Sequence, residues 1–85
     1  MPDNPVFLGR RVLVVEDEMM IAMLVEDMLS ELGCAVVGPV HALDDALDLA
    51  RTEVGLDAAL LDVNLAGQPV FAVADALRAI GVPSI

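Results

Sequence analysis

Glu16, Asp17 and Asp62 are the residues of this sequence best suited to chemistry. Glu16 and Asp17 close one short apolar run, and Asp62 closes another. Carboxylates brought close together do not all ionise unaided, because mutual repulsion and partial burial raise at least one pKa. A divalent cation relieves that repulsion. Few ligands, all of them oxygen, point to Mg²⁺ or Mn²⁺ with several retained waters. Taken singly, a strand-end Asp is as readily a helix N-cap or a turn former. An acidic pair at one strand end with an Asp at its neighbour's favours a site.

That argument needs elements that bring the three residues together. The run RVLVVE (11–16) is β-branched and Leu-rich without interruption, which suits a strand buried on both faces. A helix is expected over about 18–32, with Ile21, Val25, Met28 and Leu32 on its core face and Gly33 as its left-handed stop. A second strand is expected over 35–38, ended by Gly38-Pro39. Leu43, Leu47, Ala50 and Val54 mark a second helix, and residues 58–61 a third strand. Residues 63–68 read as a loop. Pro69 suits the first turn of a third helix, where its missing N–H costs nothing. Val70, Val73, Ala74 and Leu77 form that helix's apolar face, Gly81 ends it, and a fourth strand starts over 82–85.

The order β-α-β-α-β-α-β argues for an α/β fold with a doubly wound parallel sheet. Ligands of such sheets sit beyond the carboxyl ends of the strands. With strand order 2-1-3, the first and third strands are neighbours roughly 4.8 Å apart. Glu16, Asp17 and Asp62 then share one shallow crevice.

Composition removes competing classes. The chain has 85 residues, a formal net charge of −10 and four basic side chains, all Arg, with no Lys. So acidic a chain is a poor direct binder of nucleic acid, which needs cations against phosphates. The longest charge-free runs, 32–43 and 63–74, fall well short of the roughly 20 residues of a membrane span. One Cys builds no disulfide framework, so a cytoplasmic setting is expected, with Cys34 a small buried apolar residue. Arg10 and Arg11 are expected to solvate the lower edge of the sheet. His41, the only His, has no catalytic companion and reads as a loop residue. Asp62 to Gly67 imitates a calcium-loop start, but Ala66 and Val73 stand where that loop needs oxygen ligands. No Asp-Ser-Leu site of an acyl carrier protein, phosphate-binding Gly loop or hydrolase triad is present.

VLVVEDE (12–18) followed by a helix, and LLDVNLAG (60–67) after the third strand, resemble the receiver domain of two-component response regulators. The resemblance covers the chain after its first ten residues, which read as an N-terminal lead-in to a receiver over 11–85. It implies a flavodoxin-like fold, here incomplete, in which Asp62 is the phospho-acceptor. It implies Mg²⁺ (or Mn²⁺) held by Asp17, Asp62 and the main-chain carbonyl of Asn64, with Glu16 acting through water. The donor would be a phosphohistidine of a sensor histidine kinase or a histidine phosphotransfer protein. Such a module assists its own phosphorylation and dephosphorylation without being a classical enzyme. Met19 and Met23 lie opposite the expected core face of the first helix, where receivers commonly dock such partners.

The pattern departs from the family in three places. Leu65 and Ala66 replace the Met-Pro common after the acceptor, and DVNLAG resembles a subgroup that often lacks an output domain. The family's phosphate-sensing Thr or Ser and its phosphate-pairing Lys would fall beyond Ile85, and Ser84 stands too early for the first. The chain thus reads as about two thirds of a receiver, with an apolar sheet edge through which two copies could pair. The alternative is a receiver-derived module that binds partners or metal without switching.

Overall fold

The computed structural model describes residues 8–61, 64–65, 68–69 and 71–84. Its main sheet holds β1 (Arg11–Val15), β2 (Ala35–Val40) and β3 (Ala58–Leu61), all parallel, in the order β2-β1-β3. Helices α1 (Met19–Glu31), α2 (Leu43–Thr52) and α3 (Phe71–Ala79) connect or follow the strands. A two-residue antiparallel pair, β4 (Asn64–Leu65) and β5 (Gln68–Pro69), stands between β3 and α3. This is the α/β architecture that the alternation implies.

The central strand shows why the order is stable. Val12, Leu13, Val14 and Val15 are all buried, as expected of a strand covered on both sides. Side chains alternate across a strand, so the four residues divide between the two faces. Leu13 and Val15 join Ala46, Ala50, Leu56, Ala59, Val73, Leu77 and Val82 in one core under α2 and α3. Val12 and Val14 turn to the other face, where α1 packs on β1 and β2. Burial of side chains the size of Leu13, Val73 and Leu77 is worth about 1.5–3 kcal/mol each.

Two helices end in the same way. Gly33 (φ +87°) donates its N–H to Ser30 O and Cys34 donates to Leu29 O. Gly81 (φ +78°) donates to Arg78 O and Val82 to Leu77 O. Both are Schellman turns, in which a left-handed residue closes the last carbonyls.

Six expectations need correction. First, β2 does not stop at Gly38-Pro39 but continues to Val40. An extra residue is absorbed there: Leu13 pairs with Val37, yet Val15 pairs with Val40. A bulge is where a strand tolerates a Pro that cannot donate. Second, α1 does not bury Ile21, Met28 and Leu32, which are exposed. The fully buried residue is Ala22, whose small side chain lets the helix approach the sheet closely, with Val25 and Leu29 half-buried beside it. Third, Val54 is exposed, because α2 ends at Thr52 and the chain turns at Gly55 to bury Leu56 instead. Fourth, the expected loop over 63–68 includes a short antiparallel pair, Asn64–Leu65 with Gln68–Pro69, so Pro69 lies in β5 opposite Asn64, and α3 begins at Phe71. Fifth, among the described residues the fourth strand is a single parallel bridge, Ala59 to Ser84, with Ala59 N–H donating to Pro83 O at 3.0 Å. Sixth, Cys34, expected to be buried, is half-buried as a free thiol. Val70 and Ile85 lie outside the described residues.

Candidate functional site

The acidic pair follows β1 immediately. Val15 is buried, Glu16 is half-buried, and Asp17 and Glu18 are exposed, so the chain emerges from the core at the carboxyl end of the sheet. Glu16 still belongs to the ladder, since its N–H donates to Val40 O at 3.0 Å. Its side chain then folds forward, and Oε2 accepts the N–H of Glu18 at 3.0 Å. Glu18 is the N-cap residue of α1 and its carbonyl accepts the N–H of Ala22 at 2.9 Å, the first turn of the helix. Strand end, acidic turn and helix start are therefore one continuous hydrogen-bonded unit.

The neighbouring strand ends alongside. Val15 pairs in register with Leu61, the residue before Asp62 in sequence. Asp62 itself lies outside the described residues. Of Asn64, the main chain is placed, as the first residue of β4. Among the described residues no group of three or more His, Cys, Asp or Glu converges as a metal site. The donors that are described, two carboxylates at one strand end, are hard oxygens of the kind Mg²⁺ and Mn²⁺ take.

No family model and no curated protein matches the sequence. Among solved structures, the fold is similar to that of the response regulator PhyR from Brucella abortus, with a TM-score of 0.81 and 32% identity, covering 92% of this chain. The chain has the fold of a response-regulator receiver domain. It spans 32% of the length of that PhyR chain.

In this receiver fold, Met19 and Met23 are 61% and 58% exposed on the first two turns of α1, directly after the acidic turn. Their exposure agrees with expectation, although the buried line of the helix runs through Ala22 and not through Ile21. Met20, Leu24 and Met28 add a second exposed apolar row.

His41 is the residue whose place the sequence did not disclose. Its Nδ1 lies 2.8 Å from the main-chain carbonyl of Glu16. The signal available was positional only: it follows β2 at the edge of the sheet where sites form.

Arg10 and Arg11 do more than solvate. At the opposite end of β1, Arg11 N–H donates to Asp57 Oδ2 at 2.8 Å, and Asp57 N–H donates to Arg11 O at 2.8 Å. Arg10 pairs with Asp57 at 3.3 Å, and the Arg11 guanidinium reaches Glu53 and the carbonyl of Val54. The Arg11 main-chain N–H, with help from the Arg10 charge, holds the Asp57 carboxyl below its ordinary pKa against a smaller opposing effect of desolvation.

Proposed function

We propose that the chain is a phospho-accepting receiver module of a phosphorelay, taking a phosphoryl group from a phosphohistidine onto Asp62. Asp17, Asp62 and the main-chain carbonyl of Asn64 would hold Mg²⁺ or Mn²⁺, and Glu16 would act through water. One placement supports this. Glu16 and Asp17 leave β1 just where its neighbour β3 ends before Asp62, in a fold shared at 32% identity with a response regulator.

The chemistry is in-line transfer. A carboxylate oxygen of Asp62 forms a bond to phosphorus as the phosphorus–nitrogen bond to the donor imidazole breaks, and the leaving nitrogen takes up a proton. The product is an acyl phosphate, which water later cleaves to restore the carboxylate. A bound divalent cation supplies the charge compensation and oxygen alignment that this transfer needs between two anionic groups. The hydrogen bonding of the acidic turn keeps the Glu16 carboxylate oriented before the donor arrives.

The partner would be a sensor histidine kinase or a histidine phosphotransfer protein. The exposed Met19 and Met23 beside the acidic turn give it a soft, adaptable apolar contact. A second reading, a non-switching interaction module, is favoured by the further exposed row Met20, Leu24 and Met28 on the same helix.

Incubation with Mg²⁺ and acetyl phosphate separates the two. Phospho-acceptance requires the gain of one phosphoryl mass by folded wild type and none by Asp62→Asn. No gain by a folded sample favours the second reading.

A further inference from the structure

We propose that His41 is a positioning residue for the acidic turn, acting on the peptide group that joins Glu16 to Asp17. This rests on the cation-site reading above. The end of β2 grips Glu16 from both sides of its main chain. The N–H of Glu16 donates to Val40 O at 3.0 Å, and its C=O lies 2.8 Å from Nδ1 of His41. A carbonyl only accepts, so the imidazole must carry its proton on Nδ1 to make this bond. The side chain thereby extends the grip of β2 one residue beyond its last ladder bond.

The bulge in β2 sets the register that allows it. Were pairing regular from Leu13–Val37 onward, Val15 would face Pro39 and His41 would fall opposite Asp17. The extra residue at Gly38-Pro39 places Val40 opposite Val15, and so His41 opposite Glu16. Gly38 makes this possible: its φ is +96°, and a Cβ there would lie 2.8 Å from Val40 N and 3.1 Å from Val14 O. The bond from His41 fixes the plane of the Glu16–Asp17 peptide. The Glu16 carboxylate is tied forward to Glu18 N–H. With both fixed, the Glu16 carboxylate and the main chain leading into Asp17 are held before any ligand binds. Outer groups of this kind orient metal-binding residues and tune affinity.

The test is Mn²⁺ affinity of the full chain, read as loss of the free-ion EPR signal, alongside thermal melting and the ¹⁵N shift of the Asp17 amide. His41→Ala should weaken Mn²⁺ binding by about three- to tenfold, the worth of one neutral hydrogen bond, and move the Asp17 shift. The Nδ2–H of Asn sits where Nδ1–H sat, so His41→Asn should restore both. His41→Gln, whose amide reaches one bond further, should not. Equal affinity of His41→Ala and wild type overturns the proposal. So does a loss that Asn fails to restore and that follows the melting temperature, because that is a structural role only. Wild type that binds no Mn²⁺ overturns the cation-site reading and the positioning role together, an outcome distinct from the other two.

Discussion

Asp17 is where the functional reading meets a single side chain. It is exposed at the first position after the half-buried Glu16, so its removal takes away an oxygen donor and little packing. Asp17→Asn is therefore expected to lower Mg²⁺ or Mn²⁺ affinity by about tenfold or more, a loss larger than any fall in melting temperature accounts for. A turn-forming role alone predicts unchanged affinity, since Asn forms such turns as well as Asp; calorimetric titration beside a melt distinguishes them. At this scale the sequence showed the acidic pair clearly, because two carboxylates ending a run of Val and Leu stand out. It did not show His41, whose contact is with a main-chain carbonyl. Such a contact depends on register and leaves no trace in residue type.

The strands and helices were legible in outline, and their faces less so. β1, β3 and both glycine-closed helices follow directly from apolar runs and left-handed stops. The core face of α1 did not, because most of its residues are apolar and the helical period has little contrast. The smallest residue, Ala22, was buried in place of larger neighbours. The continuation of β2 was hidden for a related reason: Gly-Pro signals a turn in isolation but a bulge when a neighbouring strand holds both sides. Gly38→Ala should cost about 1–3 kcal/mol, since the added carbon crowds Val40 N and Val14 O at positive φ; a denaturant midpoint close to wild type would contradict this. On α1, charge substitution of Met19 and Met23 should slow phosphotransfer from a protein donor and leave labelling by acetyl phosphate unchanged. Equal effects on both donors would contradict a docking role.

Across the whole molecule, charge is arranged along β1. Arg10 precedes it and Arg11 begins it, matched by Asp57 and Glu53, and the acidic pair follows its far end. A five-residue strand spans roughly 16 Å at about 3.3 Å per residue, beyond a Debye length of about 8 Å. The arginines therefore staple the amino edge of the sheet without neutralising the carboxyl edge. Among the described residues no helix is long and apolar enough to cross a membrane. Apolar side chains fill the doubly covered sheet and also stand in the exposed rows of α1. The Asp57 staple gives stability a defined pH dependence. Its carboxyl is held below the ordinary value in the folded chain, so its contribution is complete above the unfolded value of about 4. That contribution is lost as pH falls through the folded value. Asp57→Asn should melt lower than wild type at neutral pH, with the gap closing on acidification; a gap independent of pH would contradict the assignment.

The central claim, that Asp62 accepts the phosphoryl group, is tested most directly by trapping the acyl phosphate where it forms. Wild type is treated with Mg²⁺ and acetyl phosphate, reduced with borohydride, digested and sequenced by tandem mass spectrometry. The account predicts homoserine at position 62, dependent on Mg²⁺ and absent from the untreated chain. Homoserine at another Asp, or a folded protein with no reduced residue at all, would contradict it.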